Sequence, residues 1–143
     1  MGEINSYRDL RVWQTAMDIA ERSYVLTQDF PKSEVYGMSS QIRRAYVSIS
    51  ANIADGYGRD STGSFVHFLK GSQGSLKELE THLLICARVG LAAEDGTAPL
   101  LLQCDELGKD AAHLHPVYSE IGGGPMMLLL TTDYSQLTSW LDP

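Results

Sequence analysis

Large apolar residues recur along the chain at alternating steps of three and four. That spacing places them on one face of a helix with 3.6 residues per turn, and no stretch alternates apolar and polar residues for the length of a half-buried strand. Leu10, Trp13, Met17, Ala20 and Tyr24 set the first row, with Val12, Ala16, Ile19 and Ser23 flanking it. Ser6 and Asp9 have the spacing of a capping box, and the approach to Pro31 ends the pattern, so the first helix is expected over about 7–28. Val35, Met38, Ile42, Ala45, Ile49 and Ile53 predict a second helix over 34–56, stopped by the run from Asp55 to Gly58. A third, over 62–89, follows caps at Asp60, Ser61 and Thr62. It carries Phe65, Phe68, Leu69, Ser72, Leu76, Leu79, Leu83 and Cys86 inward and Gly90 at its end.

The fourth segment, 98–121, bears Leu101, Cys104, Leu107, Ala111, Leu114, Tyr118 and Ile121 after a turn from Glu94 to Pro99, and Pro116 is expected to kink or interrupt it. Gly122 to Pro125 then stop regular structure, leaving 122–143 as an irregular or short helical tail with apolar runs at Met126–Leu130 and Leu137–Leu141. Four such segments joined by short polar turns predict an all-α protein, an antiparallel up-and-down four-helix bundle. At 143 residues it should form one domain, 1–143, around one core.

A composition of 43% hydrophobic and 20% charged residues belongs to chains that fold. No apolar run approaches the roughly 20 residues of a membrane-spanning helix, and the polar start lacks a secretory pattern, so a cytoplasmic protein without membrane contact is expected. Cys86 and Cys104 are expected as small core residues. Asn52 falls on the apolar face of the second helix. A buried amide needs partners, so Ser48, Asn52, Ser75 and Glu78 are expected to form a polar network fixing the register of helices two and three. Gly71 and Gly74, unfavourable inside a helix, suggest close approach of a neighbouring backbone or a merely weak helix.

The net charge of −7 is unevenly spread. Residues 1–40 carry four basic and six acidic side chains, 41–77 five and two, and 78–143 two and ten. Only the middle segment could displace counterions from a polyanion, through Arg43, Arg44, Arg59, Lys70 and Lys77. The same cations could instead hold carboxylates of a neighbouring subunit, and the small, weakly apolar face between Arg43 and Ala54 could admit another chain closely. Convergent catalytic groups are not evident. His113 and His115 point apart on a helix, His67 and His82 stand about 22 Å apart by helix rise, and Gly71 to Ser75 lie inside a helical pattern rather than in a phosphate loop. No metal, cofactor or small-molecule substrate is therefore expected, and no enzymatic activity. An enzyme would need a cleft assembled from Asn52, Asp55, Glu78 and His82.

The stretch Tyr7-Arg8-Asp9-Leu10-Arg11-Val12-Trp13-Gln14 with Ala16, followed by Phe30-Pro31, Glu34 and Tyr36-Gly37-Met38, resembles the small four-helix proteins encoded in intervening sequences of bacterial 23S ribosomal RNA genes. Gln41 to Ala45, Ser48-Ile49, Asn52 to Gly56, Gly74-Ser75-Leu76 and Glu78 to Leu83 extend the resemblance over roughly residues 7–91. It implies a left-handed bundle that assembles into a ring-like homo-oligomer, typically a pentamer, with a possible association with ribosomal RNA. Asp55 stands where the family usually has Glu, the overall charge is acidic, and the break at Gly122–Pro125 departs from a continuous fourth helix. A scaffold that docks a basic partner through the acidic half, 78–143, is the alternative to this reading.

Overall fold

The computed structural model describes residues 4–59 and 61–120, with side chains as far as Leu114. Four helices fill it: α1 (Arg11–Gln28), α2 (Met38–Tyr57), α3 (Thr62–Arg88) and α4 (Glu94–Glu120). No strand occurs among the described residues. Each helix packs on its neighbours in sequence, and α1 closes the ring by packing on α4, so the molecule is an all-α four-helix bundle.

The helix ends differ from the sequence expectation in informative ways. The capping box forms, Arg8 N–H donating to Ser6 Oγ and Ser6 N–H to Asp9 Oδ2, but it closes a single 3-10 turn, Tyr7–Asp9. Leu10 is extended and α1 starts at Arg11. Glu34 belongs to another 3-10 turn, Lys32–Glu34, and α2 begins only at Met38, whose N–H is taken by Glu34 Oε2 at 3.0 Å. This long-range cap does what the N-cap residue Gly37 lacks a side chain to do. Ser61 caps α3 at its Ser64 N–H. At the other end Gly90 adopts φ +74°, Leu91 N–H reaches Cys86 O and Gly90 N–H reaches Ala87 O, a Schellman turn that satisfies the last carbonyls. The fourth helix starts four residues before the expected position and continues through Pro116, which does not interrupt it. The runs Met126–Leu130 and Leu137–Leu141, and Ile121, lie outside the described residues.

Ile42, Ala45, Ile49 and Ile53 of α2 and Phe65, Leu69, Leu76, Leu79, Leu83 and Cys86 of α3 are buried as the spacing predicts, against Leu100, Cys104, Leu107, Ala111 and Leu114 of α4. Phe68 is only half-buried. On α1 the broad apolar face is buried unevenly, with Trp13 and Ala20 of the first row packed partly against the core. The flanking row, Val12, Ala16, Ile19 and Ser23, enters the core, while Met17 and Tyr24 of the first row are 42% and 50% exposed. The small side chains at Ala16 and Ser23 let α1 sit close, which leaves its larger apolar residues one step around the helix.

Close approach within the chain is made by Gly56 rather than by Gly71 or Gly74. A Cβ on buried Gly56 would lie 2.7 Å from Phe68 Cβ and 3.2 Å from the Phe65 ring, so only glycine lets α2 and α3 meet there. Gly74 faces open space and Gly71 would meet only the Asn52 amide, at 3.6 Å. The two sites therefore predict opposite signs. Gly56→Ala should lower the unfolding free energy by about 1–3 kcal/mol through overpacking, and Gly74→Ala should raise it by about 0.5–1 kcal/mol through helix propensity, both read from urea denaturation of the purified variants.

Candidate functional site

The sequence nominated two sets of residues, and the structure treats their members differently. Of the polar set, three come together at the seam of α2 and α3. Ser48 Oγ and Ser75 Oγ share a hydrogen bond of 2.8 Å, and the Asn52 amide donates to Ser48 O at 2.8 Å and Ser48 Oγ at 3.0 Å. A fourth member, Ser72, was not nominated for the network: its buried hydroxyl crosses the seam and donates to Ile49 O at 3.0 Å. Its place on the inward row was the available signal, because a buried serine among leucines needs an acceptor. Glu78 stays out of this group. Its carboxylate, about half exposed, lies 3.5 Å from His82 Nε2 without the geometry of a hydrogen bond, and that nitrogen has no other partner.

The basic set divides as well. Arg59 is held by Asp55 at 3.2 Å and lies over the Phe68 ring at 5.0 Å, and Lys77 binds the Glu80 carboxylate at 3.0 Å. These carboxylates stand four residues before Arg59 and three after Lys77, so helix spacing could have announced both pairs. Arg43, Arg44 and Lys70 are exposed and form no ion pair or hydrogen bond among the described residues.

Arg43 adjoins a small pocket where Tyr24, Lys32, Val35 and Ser39 meet between the end of α1 and the start of α2. Tyr24 and Val35 of its lining are about half exposed, as are Met17 on α1 and Val47 on α2, and Tyr36 in the connection is 95% exposed, which spacing alone did not reveal. With exposed Arg43 and Arg44 they give α1 and α2 a basic, apolar face. A second concavity, an open groove of about 720 Å³, lies between α1 and the first half of α4. Val25, Leu26, Pro99 and Leu100 line it, and Asp18, Glu21 and Asp29 edge it.

The cysteines are buried and unpaired. Removal from water pushes the Cys104 thiol up to about 12, assisted by Glu80 and partly opposed by Lys77, and raises Cys86 in the same way with help from Glu34. No cluster of His, Cys, Asp and Glu that could hold a metal ion occurs among the described residues, nor does any described helix have the length and apolarity to cross a membrane.

Two measurements test this interior. Asn52→Leu and Ser72→Ala should each cost about 1 kcal/mol, seen as a lowered thermal midpoint by circular dichroism; unshifted, sharp transitions in both would remove the seam's polar contacts from the account. A thiol whose folded pKa lies above its unfolded value favours the native state below pH 9 and loses that contribution as the pH climbs from 9 toward about 12. Labelling of Cys104 by a thiol reagent at pH 8.5 should therefore follow the unfolded fraction, and fast labelling of fully folded protein would show the site to be open.

Among solved structures, the fold is similar to that of a protein with unknown function from the S23 ribosomal protein family of Bacteroides thetaiotaomicron VPI-5482. The TM-score is 0.66 at 21% identity, over 73% of this chain and 97% of the other. No curated protein matches the sequence. The sequence model of the 23S rRNA-intervening sequence protein family matches residues 8–112, which hold α1, α2, α3 and most of α4 with the seam and both faces described above, and the chain belongs to that family.

Proposed function

We propose that the chain is a noncatalytic structural subunit that works as a homo-oligomer, its copies meeting through the basic, apolar face of α1 and α2. The observation that carries this reading is the exposure of Met17, Tyr24, Val35, Tyr36 and Val47 on α1, α2 and their connection, together with two arginines of α2 that no carboxylate neutralises among the described residues. Contiguous apolar surface rimmed by charge is the mark of a protein contact rather than of a solvated face. The candidate acid and base groups give no contrary support: Asp55 is engaged by Arg59, Asn52 by Ser48, and Glu78 by nothing nearer than His82. Short connections between successive helices, and the closed circuit of packing, support an antiparallel up-and-down course. The family resemblance supports its left-handed turn and a pentameric ring.

A second reading, association with RNA, is favoured by a separate observation. The chain holds 18 acidic side chains against 11 basic ones, yet Arg43, Arg44 and Lys70 have no ion pair among the described residues. Those three, rather than the engaged Arg59 and Lys77, are the residues that would displace counterions from a phosphate backbone.

The double substitution Arg43→Ala with Arg44→Ala separates the two readings. If the arginines serve the subunit contact, light scattering shows a lower assembled mass, whether or not the fresh protein absorbs at 260 nm. If they serve RNA, the mass stays at the wild-type value while RNA binding weakens and its dependence on salt flattens by about two phosphate contacts. A wild-type mass of one chain would overturn the oligomer.

A further inference from the structure

Tyr36 is the most exposed large apolar residue among the described residues, at 95%. It projects from the connection between α1 and α2, with cationic Lys32 four residues before it and Arg43 seven after. A tyrosine so placed removes a large apolar area from water when it is covered, and tyrosine is among the residues that dominate protein contacts. On another side of the same bundle the groove between α1 and α4 has the complementary character. Its floor is apolar at Leu26 and Leu100, its volume of about 720 Å³ admits an aromatic side chain with its neighbours, and its rim carries Asp18 and Glu21. Neither of these carboxylates has an ion pair among the described residues. The one cation of the groove, Arg22, spends its contact on Gln103, at 3.5 Å.

We propose that this groove is the socket for the basic face of a second copy, with Tyr36 as the inserted side chain and Lys32 and Arg43 set against Asp18 and Glu21. The inference rests on the self-association reading and adds to it the surface on which the neighbour docks. Two different patches of one chain that fit each other make a head-to-tail contact, and repetition of such a contact closes into a ring when the rotation between copies allows. Opposite potentials on the two patches also choose the register, because a basic face laid on a basic face is repelled.

Mixing of variants of the full chain tests the assignment. By light scattering the wild type should exceed the 15.7 kDa of one chain. Tyr36→Ala disables the inserted face and Glu21→Arg the socket, and each should weaken association at least tenfold and lower the mass. An equimolar mixture of the two retains one working pair of surfaces and should form a two-chain complex that neither variant forms alone. Glu21→Arg combined with Arg43→Glu in one chain reverses both charges and should return the mass to that of the wild type. All three positions are exposed, so each variant should keep the helical circular dichroism of the wild type and unfold cooperatively, which separates lost assembly from lost folding. A wild-type oligomer whose mass survives both single changes overturns the socket while leaving self-association standing. Failure of the mixture and of the reversed pair to recover any assembly overturns it equally. A single-chain wild type overturns self-association itself.

Discussion

The seam between α2 and α3 sets the positions of everything else in the bundle. It is where two helices come close enough that one of them must carry glycine, and Gly56 meets that demand against Phe65 and Phe68. Around this contact the isoleucines of α2 face the leucines of α3. Apolar burial there supplies the bulk of the favourable free energy but little preference for one sliding position over another. Directional contacts supply the preference. Ser72 can reach Ile49 O, and Ser75 can reach Ser48, at only one register, and a shift of one turn would strand a buried hydroxyl. Glu34 acts similarly at the entry to α2, since its carboxylate fixes where the first free N–H of that helix stands.

Outside the seam the charges that α1 and α2 present differ in sign from one face to the next. Basic residues of the middle segment that have a carboxylate within a helical turn are consumed by it, as at Arg59 and Lys77. Of those left without a partner among the described residues, Lys70 lies on α3 and Arg43 and Arg44 on α2 with exposed Val47, while Asp18, Glu21 and Asp29 edge the groove between α1 and α4. A protein with a net charge of −7 thus presents a local basic face, and the sum says less about its partners than the placement.

Much of this was legible before any coordinates, and the reasons for the exceptions are specific. The inward rows of α2 and α3 contain large aliphatic residues at every step, so periodicity alone identifies them. On α1 two rows of equal period lie one residue apart and read as one broad apolar face, so spacing does not say which row sits deepest. Val12, Ala16, Ile19 and Ser23 do, because Ala16 and Ser23 permit a shorter distance between helices than large side chains would. The start of α4 was hidden by Gly96 and Pro99, which resemble a turn when read locally, whereas Thr97 is buried and bonds back to Ala93 and Glu94 within the helix. The Ser48, Asn52 and Ser75 contacts followed from the need of amides and hydroxyls drawn partly out of water for partners. The separation of Glu78 from them depends on which way one helix is rotated, which spacing does not encode. Neither Tyr36 nor the groove could be foreseen, since each is defined by what three-dimensional packing leaves uncovered.

The hydroxyl of Ser72 on the Ile49 carbonyl also bears on how the surface of α2 meets the outside. By tying the spine of α2 to α3, it holds Arg43, Arg44 and Val47 on a backbone that does not drift relative to the rest of the bundle. A surface carried this way gives up little conformational freedom when something settles on it, so even a contact of modest area can retain more of its gross attraction as affinity.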